Sequence, residues 1–176
     1  FSAEVENDLW DPSIVLQYRP TSNIMLYASY QHGSKSGGFQ GAISNAEAFS
    51  FVILPEKAES YEVGAKLSFA GGSYFNITGF HTTYKDLQVS TAILGLDGLS
   101  APFFVGNAAT ARVIGVEFDS VVRITPQFDL SFNGAWNPEA KFTSFRNAPC
   151  HDDGVFAPPG DRPGSCNVSG LRLPYS

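Results

Sequence analysis

The sequence predicts an all-β chain, an antiparallel meander of about six long strands taken from the wall of a transmembrane barrel. That reading rests on a period-2 alternation of apolar and polar residues, on segment length, and on the order of short and long connections. Helical periodicity is nowhere sustained.

Near the start, Ile24, Leu26, Ala28 and Tyr30 alternate with their neighbours, more weakly than the later segments do. Residues 60–69 alternate without exception, with Tyr61, Val63, Ala65, Leu67 and Phe69 on one face and Ser60, Glu62, Gly64, Lys66 and Ser68 on the other. Residues 74–85 have strand composition, but their two faces rank alike and their register stays open. Ile114, Val116, Phe118, Val122 and Ile124 then share a face broken only by Ser120. Gly115, Glu117, Asp119 and Arg123 lie opposite, with Val113 and Val121. Finally, Phe128, Leu130, Phe132, Gly134 and Trp136 oppose Asp129, Ser131, Asn133, Ala135 and Asn137.

The connections differ in kind. Arg19-Pro20-Thr21-Ser22-Asn23, Ala70-Gly71-Gly72-Ser73 and Thr125-Pro126-Gln127 are tight turns, in which Pro presets φ and Gly permits positive φ. Residues 34–55, 91–101 and 144–174 are long connections rich in Gly, Ser, Ala and Pro. Short and long alternate strictly, which puts every tight turn at one end of the meander and every long loop at the other. Sandwich strands run to about 5–6 residues, whereas the segments 56–69, 102–125 and 128–143 are each more than twice that. Barrel strands in a membrane need at least about 9–11 residues and carry short turns on one side and long loops on the other. Tyr61 and Phe69, like Phe128 and Trp136, are eight residues apart on one face. At about 3.3 Å per residue and a tilt near 40° this spans about 20 Å of membrane normal, close to the lipid-facing band between aromatic girdles. A sandwich core carrying aromatics at its strand ends is the competing account.

Composition removes other classes. With 17 acidic against 11 basic residues the net charge is −6, and no Lys/Arg cluster offers the footprint of a nucleic-acid binder. No apolar run reaches the 18–20 residues of a membrane helix. Cys150 and Cys166 sit in one Pro/Gly/Asp-rich segment. They read as a disulfide staple in an oxidising compartment and as free thiols in a reducing one. His32, His81 and His151 lie far apart with no metal-ligand spacing, and no nucleophile, phosphate-loop or dinucleotide motif occurs. We expect neither an enzyme nor a cofactor or metal site.

On the polar face, Glu62, Lys66, Glu117, Asp119, Arg123 and Asp129 are expected to point into a hydrated lumen, because a charge on the lipid face near the midplane costs about 2–4 kcal/mol. On the apolar face, Tyr61, Val63, Leu67, Phe69, Ile114, Val116, Phe118, Phe128, Leu130, Phe132 and Trp136 are expected to meet lipid.

Gly33-Ser34-Lys35-Ser36-Gly37-Gly38-Phe39, Pro55-Glu56-Lys57-Ala58-Glu59-Ser60-Tyr61-Glu62-Val63-Gly64-Ala65-Lys66 and Asn107-Ala108-Ala109-Thr110-Ala111-Arg112-Val113-Ile114-Gly115-Val116-Glu117 succeed one another in the chain. With Tyr84-Lys85-Asp86-Leu87-Gln88-Val89 between the last two, their order and spacing resemble barrel segments of TonB-dependent outer-membrane receptors over residues 11–143. The resemblance implies a 22-stranded barrel, an N-terminal plug and a TonB-contacting box. Residues 1–176 would then be a partial barrel domain, with the plug and remaining strands elsewhere, and Leu171-Arg172-Leu173-Pro174-Tyr175-Ser176 resembles the start of a further strand. It also implies a bacterial outer-membrane location, TonB as partner, and active uptake of a scarce, bulky small-molecule ligand such as a ferric siderophore. Selection in that family sits mostly on the plug apex and outer loops. Here the loop candidates are residues 31–40, 91–104 and 144–171, with no single residue marked out. A passive porin-like channel and a soluble β-sandwich binding module are the alternatives.

Overall fold

The structure is a computed structural model, and it describes residues 7–39, 52–92, 103–146, 148–149, 158–160 and 165–173. Among the described residues ten strands run in chain order: β1 (Ser13–Thr21), β2 (Ile24–Lys35), β3 (Gly38–Phe39), β4 (Val52–Ile53), β5 (Glu56–Ser68), β6 (Tyr74–Ala92), β7 (Phe103–Thr125), β8 (Phe128–Ser144), β9 (Ala148–Pro149) and β10 (Ser165–Cys166). The six long ones form one antiparallel sheet in the order β1-β2-β5-β6-β7-β8, so each pairs with the next long strand along the chain. The short strands make two-residue ladders, β3 with β4 and β9 with β10, within the long connections.

The tight turns fall where Pro and Gly put them. Thr21 pairs with Ile24 and Thr125 with Phe128, each pair closing a two-residue turn. In both turns the threonine hydroxyl accepts from the backbone N–H two residues on, that of Asn23 in one and Gln127 in the other, at 3.3 Å. Between β5 and β6 the chain reverses through Gly71 at φ 78° and Gly72 at φ 83°, a left-handed pair that side-chain-bearing residues resist.

The strand register carries geometric information. Tracing pairs across the sheet from Ile24, beside the first turn, leads through Leu67, Phe75 and Ser120 to Phe132. Ser120 lies five residues short of Thr125, where the last turn begins. A drop of about five residues over about four strand spacings inclines the strands by about 40° from the perpendicular to the line of turns. Outer-membrane barrels have the same tilt, about 35–45°.

Two departures from regular pairing correct the sequence reading. The strand expected over 74–85 continues to Ala92, because a bulge between Tyr84 and Leu87, with Asp86 at φ 54°, absorbs the break in alternation. Pairing resumes from Gln88 opposite Asn107 to Ala92 opposite Phe103. In β8 one register does not hold throughout. Val116 faces Trp136 but Ile114 faces Glu139, so β8 carries an extra residue around Pro138, whose missing N–H is tolerated at a bulge. Beyond β8, Phe142 N–H donates to Leu171 O at 3.0 Å and Leu173 N–H to Ala140 O at 2.8 Å. Residues 171–173 thus lie along the β8 edge through an isolated antiparallel bridge, Lys141 with Arg172.

Among the described residues the long strands form a single sheet, and no large side chain is fully buried. The only buried apolar cluster among them is small and lies at the long-loop end. It comprises Ala109, Phe145 and Ala148, with Leu87, Phe142 and Val168 packed against it. A sandwich needs a second sheet across one face, and none is present among these residues.

Candidate functional site: a two-faced wall and its rim

Pairing partners in a sheet share a face, so the register assigns every strand residue to a side. On one side stand Ile14, Leu16 and Tyr18 of β1; Ile24, Leu26, Ala28 and Tyr30 of β2; and Tyr61, Val63, Ala65 and Leu67 of β5. Next to them come Phe75, Ile77, Gly79 and His81 of β6; Ile114, Val116, Phe118 and Val122 of β7; and Leu130, Phe132, Gly134 and Trp136 of β8. This settles the open register over 74–85. Its apolar residues align with Ala65 on one flank and Phe118 on the other, information that lies outside the segment itself. His81 joins this face, its ring 6.4 Å from that of Tyr61, which is in turn 5.1 Å from Tyr30. Trp136 is 68% exposed, Val63 64% and Tyr61 52%, values that water would oppose across a whole face. Phe69 and Phe128 flank the turns at the near end and are equally exposed.

The opposite side holds Glu62, Lys66, Glu117, Asp119, Arg123 and Asp129 together, as the alternation required. Cross-strand hydrogen bonds knit it. Asn76 donates to both carboxylate oxygens of Asp119 at 3.2 and 3.1 Å, and Arg123 pairs with Asp129 at 3.1 Å. Ser60 and Thr82 hydroxyls meet at 2.9 Å, and Tyr27 and Thr78 at 2.7 Å. Tyr27 covers Gly64, where an added Cβ would collide with the ring, and the Lys66 ammonium sits 5.9 Å from the same ring. Phe80 covers Gly115 in the same way. Tyr27, Asn76 and Thr78 escaped the sequence reading because each is polar only in part or stands in the segment whose register was open.

At the long-loop end the family-like motifs converge. Asn107 donates to Leu54 O and Asp86 O, each at 2.8 Å, and accepts from Leu54 N–H at 2.6 Å. Gln88 donates from its side chain to Ser36 O at 3.0 Å and Leu54 O at 3.1 Å, while its backbone N–H donates to Glu56 at 2.9 Å. Gly37 passes so near the 53–55 backbone that a Cβ there would collide with Ile53 O. These side chains fasten both feet of the 36–54 connection to the bulge in β6. Asp11 makes a further tie, accepting from Ser34 Oγ at 2.7 Å and meeting His32 Nδ1 at 3.1 Å. The Ser34 hydroxyl, with His32 beside it, holds the Asp11 carboxyl below the usual carboxylate range against a smaller opposing effect of burial.

Of the cysteines, Cys166 is disulfide-bonded, while Cys150 lies outside the described residues, as does His151. Part of the loop candidates lies there too, at 40, 93–102, 147, 150–157 and 161–164.

A protein-family model described as TonB dependent receptor-like, beta-barrel, matches residues 2–176. No curated protein matches the chain.

Proposed function

The chain belongs to the TonB-dependent receptor-like β-barrel family, and from that membership we propose that it forms part of the wall and outer loops of a receptor that takes up a scarce, bulky ligand. Members of the family are outer-membrane receptors and transporters of Gram-negative bacteria, not enzymes. In this reading the strands belong to a 22-stranded barrel, with Tyr61, Val63, Leu67, Phe69, Ile114, Val116, Phe118, Phe128, Leu130, Phe132 and Trp136 against lipid. Glu62, Lys66, Glu117, Asp119, Arg123 and Asp129 line the lumen and face the plug. The observation that carries the proposal is the continuous apolar face across all six strands, backed by a hydrogen-bonded polar face. A lone six-stranded sheet leaves edge N–H and C=O groups that hydrocarbon cannot satisfy. Neighbouring strands of the same barrel supply the partners, as residues 171–173 begin to do beside β8.

A lumen of that size leaks unless plugged, so a bulky ligand crosses only when the plug is moved by an energised partner, TonB. A ferric siderophore is one example of such a ligand. The fastened loop feet suit a rim that must present outer loops in fixed positions. We assign Cys150 as the partner of Cys166, closing a loop that stabilises by about 3 kcal/mol in the chain-entropy model. A peptide mass map of non-reduced protein yielding two alkylatable thiols would refute that pairing. The functional test is uptake of a labelled ferric siderophore by cells with and without TonB. Loss of uptake without TonB is expected, and undiminished uptake would replace active transport by a passive channel.

A further inference from the structure

One irregularity in the sheet touches two of the long connections at once. Strict alternation along β6 from Tyr84, opposite Ala111, would set Asp86 opposite Ala109 and turn Leu87 to the other side. Leu87 stands opposite Ala109 instead, because the chain kinks at Asp86, whose φ of 54° is left-handed. By Gln88, opposite Asn107, the register that preceded the kink is back. The kink therefore brings a leucine rather than a carboxylate against the cluster of Ala109, Phe145 and Ala148, on which Phe142 and Val168 also pack. That cluster is a foot of the 144–171 connection, where Val168 N–H donates to Phe145 O at 2.9 Å. On the other flank the ladder of β2 and β5 ends at Lys35 and Glu56, and that of β3 and β4 begins at Gly38 and Ile53. Ser36 O and both backbone groups of Leu54 lie in the gap, and the Gln88 and Asn107 carboxamides bond them. The same Asn107 nitrogen that donates to Leu54 O donates to Asp86 O, each at 2.8 Å.

We propose that the kink at Asp86 is a joint shared by the two connections: engaged, it fixes the feet of both, and released, it frees both, so that displacing one loop alters the other. The joint itself rests on the strand pairing; its bearing on ligand capture rests on reading these connections as a receptor's outer loops. A residue other than glycine keeps a positive φ only where its surroundings hold it there. Here the hold comes from two sides, from Asn107 on Asp86 O and from the apolar cluster on Leu87. Return of Asp86 to extended backbone re-aims the chain on either side of it, so Leu87 leaves Ala109 and Asp86 O leaves Asn107 together. Asn107 then loses the bond that steers its amide beside Leu54. A strand residue faces one side of the sheet or the other, so the exchange has two discrete states, which is what coupling between two sites requires. Such coupling is reciprocal, and each foot stabilises the other by the same factor. A ligand settling on either loop tightens or loosens the neighbouring one through residues it does not contact.

Hydrogen exchange on the intact receptor in bilayers, with no ligand added, reads the joint at two amides: Leu54 N–H for one foot and Val168 N–H for the other. The Asp86 side chain is exposed, so replacing it acts on the joint through φ. Asp86→Val, whose branched side chain resists positive φ, should speed exchange at both amides by about fivefold or more and by similar factors. Asp86→Gly removes the same carboxylate but accepts positive φ, and should leave both amides as protected as in the native chain or more so. Asn107→Ala should speed exchange at Val168, and Val168→Ala at Leu54, each by at least about threefold, although neither replaced side chain bonds the amide that reports it. Val63 N–H, within the ladder of β5, should stay unchanged as the sign that the barrel has not loosened. If Asp86→Val loosens Val63 as well, the crossed pair of Asn107→Ala and Val168→Ala decides. Acceleration at one foot alone, equal acceleration by Asp86→Gly, or absence of the crossed effects would overturn the shared joint.

Discussion

On the polar face of the sheet, side chains find one another across strands: Asn76 with Asp119, Arg123 with Asp129, Tyr27 with Thr78. On the opposite face, Val63, Phe118 and Trp136 stand exposed beside neighbours without polar side chains. The same backbone carries both, so the difference is one of solvent. A polar face can be completed by its own hydrogen bonds and by water, whereas an apolar face of this extent is complete only when hydrocarbon covers it. A soluble sheet would bury the second face under another layer; a barrel wall leaves it to lipid.

Placing a charge on each face separates them most sharply. Val63→Arg, near the middle of the apolar face, should cost about 2–4 kcal/mol of folding stability in bilayers. Glu62→Gln, one residue away on the other side, should change it by no more than about 0.5 kcal/mol. Urea titrations of the vesicle-reconstituted receptor measure both, and similar losses would erase the distinction.

Glycines sharpen the comparison further. Gly64→Ala should cost about 1–3 kcal/mol, because the new Cβ displaces the Tyr27 ring and strains its contact with Thr78. Gly79→Ala on the apolar face meets nothing nearer than Val63 Cγ2 at 3.9 Å, so the same titration should find it neutral or stabilising. A smaller effect attaches to the ion pair beside the turns. Arg123→Ala should lose less than about 1 kcal/mol, and less again in high salt, since both partners are about half exposed.

Much of this was legible in the residues alone. Where β5, β7 and β8 alternate cleanly, as from Tyr61 to Leu67, the side assigned to each residue matches the face on which the register puts it. β6 was not legible, because Phe75, Ile77 and His81 are balanced by Tyr74 and Phe80, and only pairing with β5 and β7 breaks the tie. The β8 bulge was hidden as well. Pro138 allows the extra residue, but the shift becomes visible only when Ile114 is seen opposite Glu139. The rim was missed because Asn107 and Gln88 bond to backbone atoms of distant segments, which leave no mark in spacing.

The smallest expected effect lies where the chain enters the sheet. Asp11 has its folded carboxyl below the usual range, so its tie to Ser34 and His32 contributes fully above the ordinary carboxylate pKa. That contribution is lost as pH falls through the lower folded value. Hydrogen exchange at the His32 N–H, which bonds to Pro12 O, should rise below the ordinary carboxylate range in the native chain and be insensitive to pH over that window, after correction for intrinsic rates, in Asp11→Asn.

Nitroxides at Val116, Phe118 and Phe132 on one face and at Glu117, Asp119 and Asn133 on the other, in the receptor within bilayers, test the two-faced wall most directly. Collision with oxygen should dominate at the first set and collision with a water-soluble nickel complex at the second, alternating residue by residue. Equal access of the nickel complex to both sets would contradict the barrel wall.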